Sequence, residues 1–309
     1  MKTGRKEPVR FKHNRSKHDE KRMKNRTAVR TETEQEFLSA YRIEDYERPS
    51  LTADIVAFMI RSEETENYKK NAENRLSVLL IKRGGHPFIG RWALPGGFLQ
   101  PGETIEACAL REVVEETNVR PVSLMPIGVF SEPGRDPRGW IISNVFASII
   151  SEESVKQAGG DDASDAQWFD VDFEEDADGT FRLELTHGEI VLKAVLEEQE
   201  TKFGKTSFAC RAGGDLAFDH AKMIATALTA LREGARNVDF LFDFLPETFT
   251  LAALQKVQET ILQISVLPAN FRRKVSPYVE ETDAYTQGAG HRPARLYRRR
   301  KAREEERFG

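Results

Sequence analysis

The sequence predicts an α/β protein, on three observations. Short apolar runs at residues 53–60, 76–83, 122–130 and 141–150 are bounded by turn residues and read as strands. Segments 104–117 and 216–232 carry apolar residues at helical spacing instead. At 39% hydrophobic and 31% charged, the 309 residues suit a globular chain with some heavily solvated sections, and the length is comfortable for two domains.

The amino end is basic. Residues 1–30 hold twelve Lys/Arg against three Asp/Glu, so the formal net charge of -4 hides an acidic remainder. Phe11 is the arm's one aromatic, and residues 1–33 therefore read as a disordered, solvated tail in preference to a nucleic-acid arm. No apolar core follows it, which argues against a secretory signal. The run at residues 55–60 is far too short to cross a bilayer, so no membrane role is expected. Two cysteines, Cys108 and Cys210, fit a reducing compartment, and a cytoplasmic location is expected.

Residues 34–46 form an amphipathic pattern around Phe37, Leu38, Tyr41 and Ile43, predicting one helix. Pro49 leads into the first strand. A polar loop at 62–75 precedes the second, which Gly84-Gly85-His86-Pro87 breaks. Polar–apolar alternation on either side of His187-Gly188 predicts a β-hairpin within an insertion at about 180–211. A closing helix at 216–232 completes a first domain spanning 34–235. A connector at 236–248 then leads into a unit at 249–303, with a tail at 304–309.

The stretch GGFLQPGETIEACALREVVEETNV, residues 96–119, raises the question of function. Thr104 is a suitable N-cap, and Asn118 tolerates the left-handed conformation that ends a helix. Helical geometry places Val113, Leu110, Val114 and Ala107 on one arc, expected to face a core. Glu112, Glu115 and Glu116 fall on a roughly opposite arc spanning about 100°, beside the small Cys108 and Ala109. Three converging carboxylates repel unless a cation neutralises them. Hard divalent ions with oxygen ligands do so, Mg²⁺ (or Mn²⁺) being the choice where phosphates are present. Gly96-Gly97 lets the backbone approach, making the Gly97 carbonyl a further candidate ligand. Arg111 can hold an acid by a forked hydrogen bond, and Glu103 is the candidate partner.

This stretch resembles the Nudix box, G-x5-E-x7-R-E-U-x-E-E-x-G-U, with U aliphatic. Gly97, Glu103, Arg111, Glu112, Val113, Glu115, Glu116 and Val119 match, and Asn118 replaces the last glycine. The resemblance implies an α/β/α sandwich that hydrolyses a nucleoside diphosphate linked to another moiety. Glu112, Glu115 and Glu116 would bind metal, with metal-assisted attack of water on the pyrophosphate. Such enzymes often recruit a general base outside the box, and Glu132, Asp162 and Asp165 are the loop acids to test.

In PGRDPRGW, Arg135 and Arg138 flank Asp136 between two predicted strands. Two arginines on a tight loop can clamp a diphosphate while Asp136 holds one in place, and Arg–Asp pairing within the turn is the plain structural alternative. The stretch is similar to the corresponding loop of Nudix proteins that act on, or sense, ADP-ribose.

Residues 249–309 hold twelve Lys/Arg against seven Asp/Glu. A helix capped by Thr250 with the stripe Leu251, Leu254, Val257 and Ile261, a second helix near Asn270, and a basic hairpin outline a winged helix. A small packing or dimerisation domain fits the same pattern. FTLAALQKVQETIL, NFRRK, RPARLYR and LAFDH are similar to segments of the Nudix-related regulators of NAD metabolism, which tilts the reading to a winged helix. By that resemblance Arg272, Arg273 and Lys274 would meet double-stranded DNA, with Arg292 and Arg295 on the wing, in a homodimer. Those regulators often lose acids from the box, whereas this chain keeps them. The sequence therefore favours a working hydrolase for ADP-ribose or a related NAD-derived compound, with the ADP-ribose-sensing DNA-binding regulator as the alternative.

Overall fold

The computed structural model describes residues 33–62, 74–121, 123–150, 155, 166–199, 206–286 and 293–300. The basic arm lies outside them, save Thr33. The chain divides into two compact units, residues 1–48 and 49–309.

In the first unit, α1 (Glu34–Ala40) starts in a reciprocal cap. The Thr33 hydroxyl accepts from the Glu36 N–H at 3.3 Å, and the Glu36 carboxylate accepts from the Thr33 N–H at 2.8 Å. The single helix predicted over 34–46 is broken. It stops at Ala40, and a 3-10 turn follows at Ile43–Asp45. No residue of α1 is buried, so no packing lengthens a short, marginal helix.

The second unit opens with a ten-stranded sheet. Its strands are β1 (Ser50–Ser62), β2 (Asn74–Lys82), β3 (Trp92–Ala93), β4 (Gly96–Phe98), β5 (Met125–Phe130), β6 (Ile141–Ile149), β7 (Ala166–Glu175), β8 (Thr180–His187), β9 (Ile190–Gln199) and β10 (Ser207–Ala212). The order is β10-β9-β8-β7-β2-β1-β6-β5, with β3 on β2 and β4 on β1; β1 and β6 run parallel. The alternation in β1 makes a sandwich. Ala53, Ile55, Ala57 and Met59 pack with Cys108, Ala109 and Val113 of α2 (Ile105–Thr117). Val56 and Phe58 point the other way, into a core with Met223, Ile224 and Leu228 of α3 (His220–Gly234). The hairpin turns at Gly188, at φ 56, and β10 adds a strand that the sequence pattern does not announce.

Beyond α3, a short helix α4 (Val238–Leu241) and β11 (Thr248–Phe249) lead to α5 (Leu251–Leu262), α6 (Pro268–Val275), β12 (Val279–Tyr285) and β13 (Arg295–Arg299). The small sheet runs β11-β13-β12, giving the helices-plus-hairpin arrangement of a winged helix. Thr250 caps α5, its hydroxyl accepting from Ala253 N–H at 3.0 Å. Leu254, Val257, Ile261 and Phe271 join the same buried core as Val56 and Leu228, so sheet and winged helix share one interior. Among the described residues, no helix is long and apolar enough to cross a membrane.

Candidate functional site

Helix α2 carries the acids, and both its caps follow the sequence: Thr104 accepts from Ala107 N–H at 3.2 Å, and Asn118 closes it at φ 56. Which face it buries is a correction. Cys108, Ala109, Val113 and Thr117 are buried, whereas Leu110 is 37% exposed and Ala107 lies open. At about 100° per residue, Glu112 and Glu116 fall between Cys108 and Ala109, within the inward arc. The cause lies across the interface. Helix α2 sits on β4, whose two glycines leave space only where small residues and reaching carboxylates meet them. A Cβ on Gly97 would stand 2.2 Å from Glu112 Cδ.

The acids therefore divide. Glu116 Oε2 accepts from the Gly96 N–H at 2.9 Å. Burial pushes its carboxyl up to about 7; the Gly96 N–H opposes this, while Glu112 and Asp54 push the same way. Arg111 forks onto Glu103 at 2.7 and 3.2 Å, and reaches Glu112 at 2.7 Å and Glu115 at 3.3 Å. The Arg111 hydrogen bonds, with one from Gln100 N–H, hold Glu103 down at about 2. Glu115 faces solvent, its side chain 60% exposed. Among the described residues no three acidic, His or Cys side chains form a ready-made cage for a metal. The donor chemistry nevertheless fits a hard divalent cation. Glu112, Glu116 and the Gly97 carbonyl offer oxygens only, and the raised Glu116 marks negative charge held away from water with too few cations beside it.

Opposite α2 lies a cleft of about 140 Å³, lined by Thr52, Asp54, Arg83, Gly96, Gly97, Phe98 and Ser143, with the 135–138 loop and the start of α3. The loop arginines are held in place. Asp136 accepts from the Arg138 backbone N–H at 2.9 Å and from its guanidinium at 2.7 Å. Arg135, its side chain only 4% exposed, forks onto Asp219 at 2.7 and 3.1 Å. Arg138 lies over the rings of Phe98 and Phe218, at 4.9 and 5.3 Å from their centroids. Of the candidate bases, Glu132 is engaged by Lys222 at 2.5 Å, and Asp162 and Asp165 lie outside the described residues.

Three cleft residues escape sequence reasoning. Arg83 follows directly on β2, donates to the Pro87 carbonyl at 2.8 Å, stacks on Phe218 and makes no ion pair among the described residues. His220 Nδ1 accepts from Leu94 N–H at 2.8 Å, and burial lowers the ring's pKa, so its single proton sits on Nε2. Nε2 stands 3.9 Å from Asp54 Oδ1. Asp54 had one available signal: it is the lone charge in an apolar strand run, ADIVAFMI.

In the winged helix, Arg272, Arg273 and Lys274 project from α6 and are exposed, Lys274 donating to the Arg236 carbonyl at 3.2 Å. Arg295 on β13 pairs with Glu281 and donates to Tyr285 Oη at 2.8 Å. Arg292 lies outside the described residues.

The chain matches the family model for the NUDIX domain over residues 67–185 and that for the NrtR DNA-binding winged helix domain over residues 241–299. It is 30% identical over 274 residues, 87% of this chain and 90% of the relative, to the ADPR responsive transcriptional repressor NtrR of Acinetobacter baylyi. It is 48% identical over 94 residues, 30% of this chain and 54% of the relative, to the ADP-ribose pyrophosphatase of Methanocaldococcus jannaschii. The crystal structure of Shewanella oneidensis NrtR complexed with a 27mer DNA is similar at 26% identity and a TM-score of 0.55, covering 81% of this chain and 93% of that one.

Proposed function

Because the chain belongs to the family of Nudix proteins that carry an NrtR-type winged helix, we propose that it is an ADP-ribose-responsive DNA-binding regulator that has kept the capacity to hydrolyse its ligand. The observation that carries this reading is one interior shared by an acid-and-arginine cleft and a basic helix. The hydrolase alone, which the sequence favours, leaves the winged helix without a task. Similarity to a repressor over most of the chain supports giving that domain DNA.

In the cleft, Arg83 and Arg138 are the cations that meet the diphosphate, with Asp136 and the rings of Phe98 and Phe218 holding Arg138 in position. Arg135 acts through Asp219, tying the loop to α3. Glu112, Glu116 and the Gly97 carbonyl would hold Mg²⁺ or Mn²⁺, and Glu115 would join on leaving Arg111. A divalent cation there neutralises phosphoryl charge and polarises the phosphoryl oxygens. Arg111 and Glu103 position the acids: each Arg111 contact fixes a rotamer on the reactive face. On α6, Arg272, Arg273 and Lys274 would contact phosphates, which position a protein on the duplex without reading sequence. The working form would be a cytoplasmic homodimer.

Two assays test this. Incubation with ADP-ribose and Mg²⁺ should yield AMP and ribose 5-phosphate, one water being consumed. Binding to promoter DNA of NAD-synthesis genes should exceed that to random DNA and should change when ADP-ribose is added. Affinity equal for both DNAs would remove the regulator; no turnover across a panel of nucleoside diphosphate derivatives would remove the hydrolase.

A further inference from the structure

We propose that Asp54 determines ligand specificity by accepting hydrogen bonds from a pair of sugar hydroxyls adjoining the diphosphate. This rests on the reading of the cleft as a site for ADP-ribose-like compounds. Asp54 is 7% exposed and lines the cleft, yet among the described residues no Lys or Arg lies within ion-pair range of it. Its nearest partners are weak. Thr52 Oγ1 stands at 3.5 Å and His220 Nε2, on a neutral ring, at 3.9 Å. Arg83 and Arg138 meet the Asp54 charge only through space, across the cleft, so its two oxygens keep acceptor capacity that no short hydrogen bond fills.

The cleft itself narrows what that donor can be. A phosphate is repelled by a carboxylate, and Arg83 and Arg138 already offer phosphate a place in the same cleft. Glu112 and Glu116 on the α2 side supply the oxygens for a cation. What remains for Asp54 is a neutral donor, and beside it the Thr52 and Ser143 hydroxyls touch at 2.6 Å, forming a polar wall of matching character. Two carboxylate oxygens accept from two neighbouring hydroxyls. Asp54 also adjoins Gly96, whose Cβ, if present, would lie 2.7 Å from Asp54 Oδ1, while the Gly96 N–H donates to Glu116. The hydroxyls it takes therefore belong to a sugar next to the diphosphate.

The test is calorimetric titration of the full chain, in EDTA to prevent turnover, with ADP-ribose and with two analogues, each lacking the hydroxyl pair of one ribose. Wild type should bind one analogue about 10- to 100-fold more weakly than ADP-ribose, the range for a hydrogen bond to a charged group. Asp54→Asn should bind ADP-ribose at that reduced affinity and no longer distinguish the pair. If wild type binds both analogues as tightly as ADP-ribose, the proposal falls whether or not the variant folds. It falls equally if Asp54→Asn keeps the discrimination, or if that variant loses Mg²⁺ binding measured without nucleotide, which would assign Asp54 to the cation. Failure of ADP-ribose to bind wild type at all would instead sink the ligand reading on which the proposal stands.

Discussion

Replacing Glu116 by Gln should make the metal-free protein more stable while removing its response to Mg²⁺. Glu116 titrates near 7 in the fold against an ordinary 4.5, mainly because it is buried. The folded state thus binds this proton more tightly than the unfolded chain does. Below pH 4.5 the carboxyl is protonated in both states and costs nothing. Between pH 4.5 and about 7 the unfolded chain gives up a proton that the folded state still holds. The unfolded state therefore gains, and the penalty grows until about pH 7, where the folded state releases its proton as well. The shift corresponds to roughly 3 kcal/mol, reduced to about 2 kcal/mol for the part of the side chain that water still reaches. Gln keeps an oxygen for the Gly96 N–H and carries no charge. Urea unfolding in EDTA should therefore show the variant about 2 kcal/mol more stable than wild type at pH 8 and level with it at pH 4.5. Mg²⁺ should stabilise wild type at pH 8 and leave the variant unchanged. Equal stabilities at pH 8 would refute the claim that a desolvated charge is stored at this position.

Gly97→Ala should abolish turnover, since its Cβ would collide with the Glu112 carboxylate at 2.2 Å, whereas Gly84→Ala meets nothing within 4 Å and should be silent in the same assay. Arg272→Glu with Arg273→Glu should weaken DNA binding on all sequences and flatten the salt dependence, by roughly one counterion for each lost phosphate contact, as read by fluorescence anisotropy across a KCl series. Asp136→Ala should release Arg138 from its two-point anchor and lower ADP-ribose affinity about 10-fold, measured in EDTA with Arg138→Ala as the comparison.

Much of this architecture is legible in the chain because it is local. Thr104 and Asn118 bound α2 by capping chemistry, and the alternation through β1 states which residues face each layer. The face of α2 is misread for an equally physical reason. Hydrophobicity alone nominates Leu110 and Val114, but the helix lies so near β4 that size decides, and Cys108 and Ala109 are what fit. The Arg111–Glu103 fork spans eight residues, within reach of spacing arguments. Arg135–Asp219 spans 84 and Leu94–His220 spans 126, and nothing local in either partner names the other. Arg83 and His220 are hidden because neither stands out among its neighbours until the fold brings both to the cleft beside Asp54, whose lone charge in an apolar run is the one local sign.

On the regulator reading, helix α3 would be the element through which ligand and DNA influence one another. Its start faces the cleft, where Asp219 holds Arg135 and His220 stands behind Asp54. Near its other end Arg232 donates to the Phe173 carbonyl at 2.7 Å and to Gln263, the left-handed residue closing α5 of the winged helix. If ADP-ribose changes DNA affinity by some factor, DNA must change ADP-ribose affinity by the same factor, since coupling between two binding sites is reciprocal. ADP-ribose titrated in EDTA with and without saturating operator should therefore show the factor obtained by titrating operator with and without ADP-ribose, a typical coupling being about 5- to 150-fold. Arg232→Met should shrink both factors together while leaving Asp219 and Arg135 paired. A variant that lost one factor and kept the other would break the reciprocity, showing that the two titrations do not report on the same pair of states.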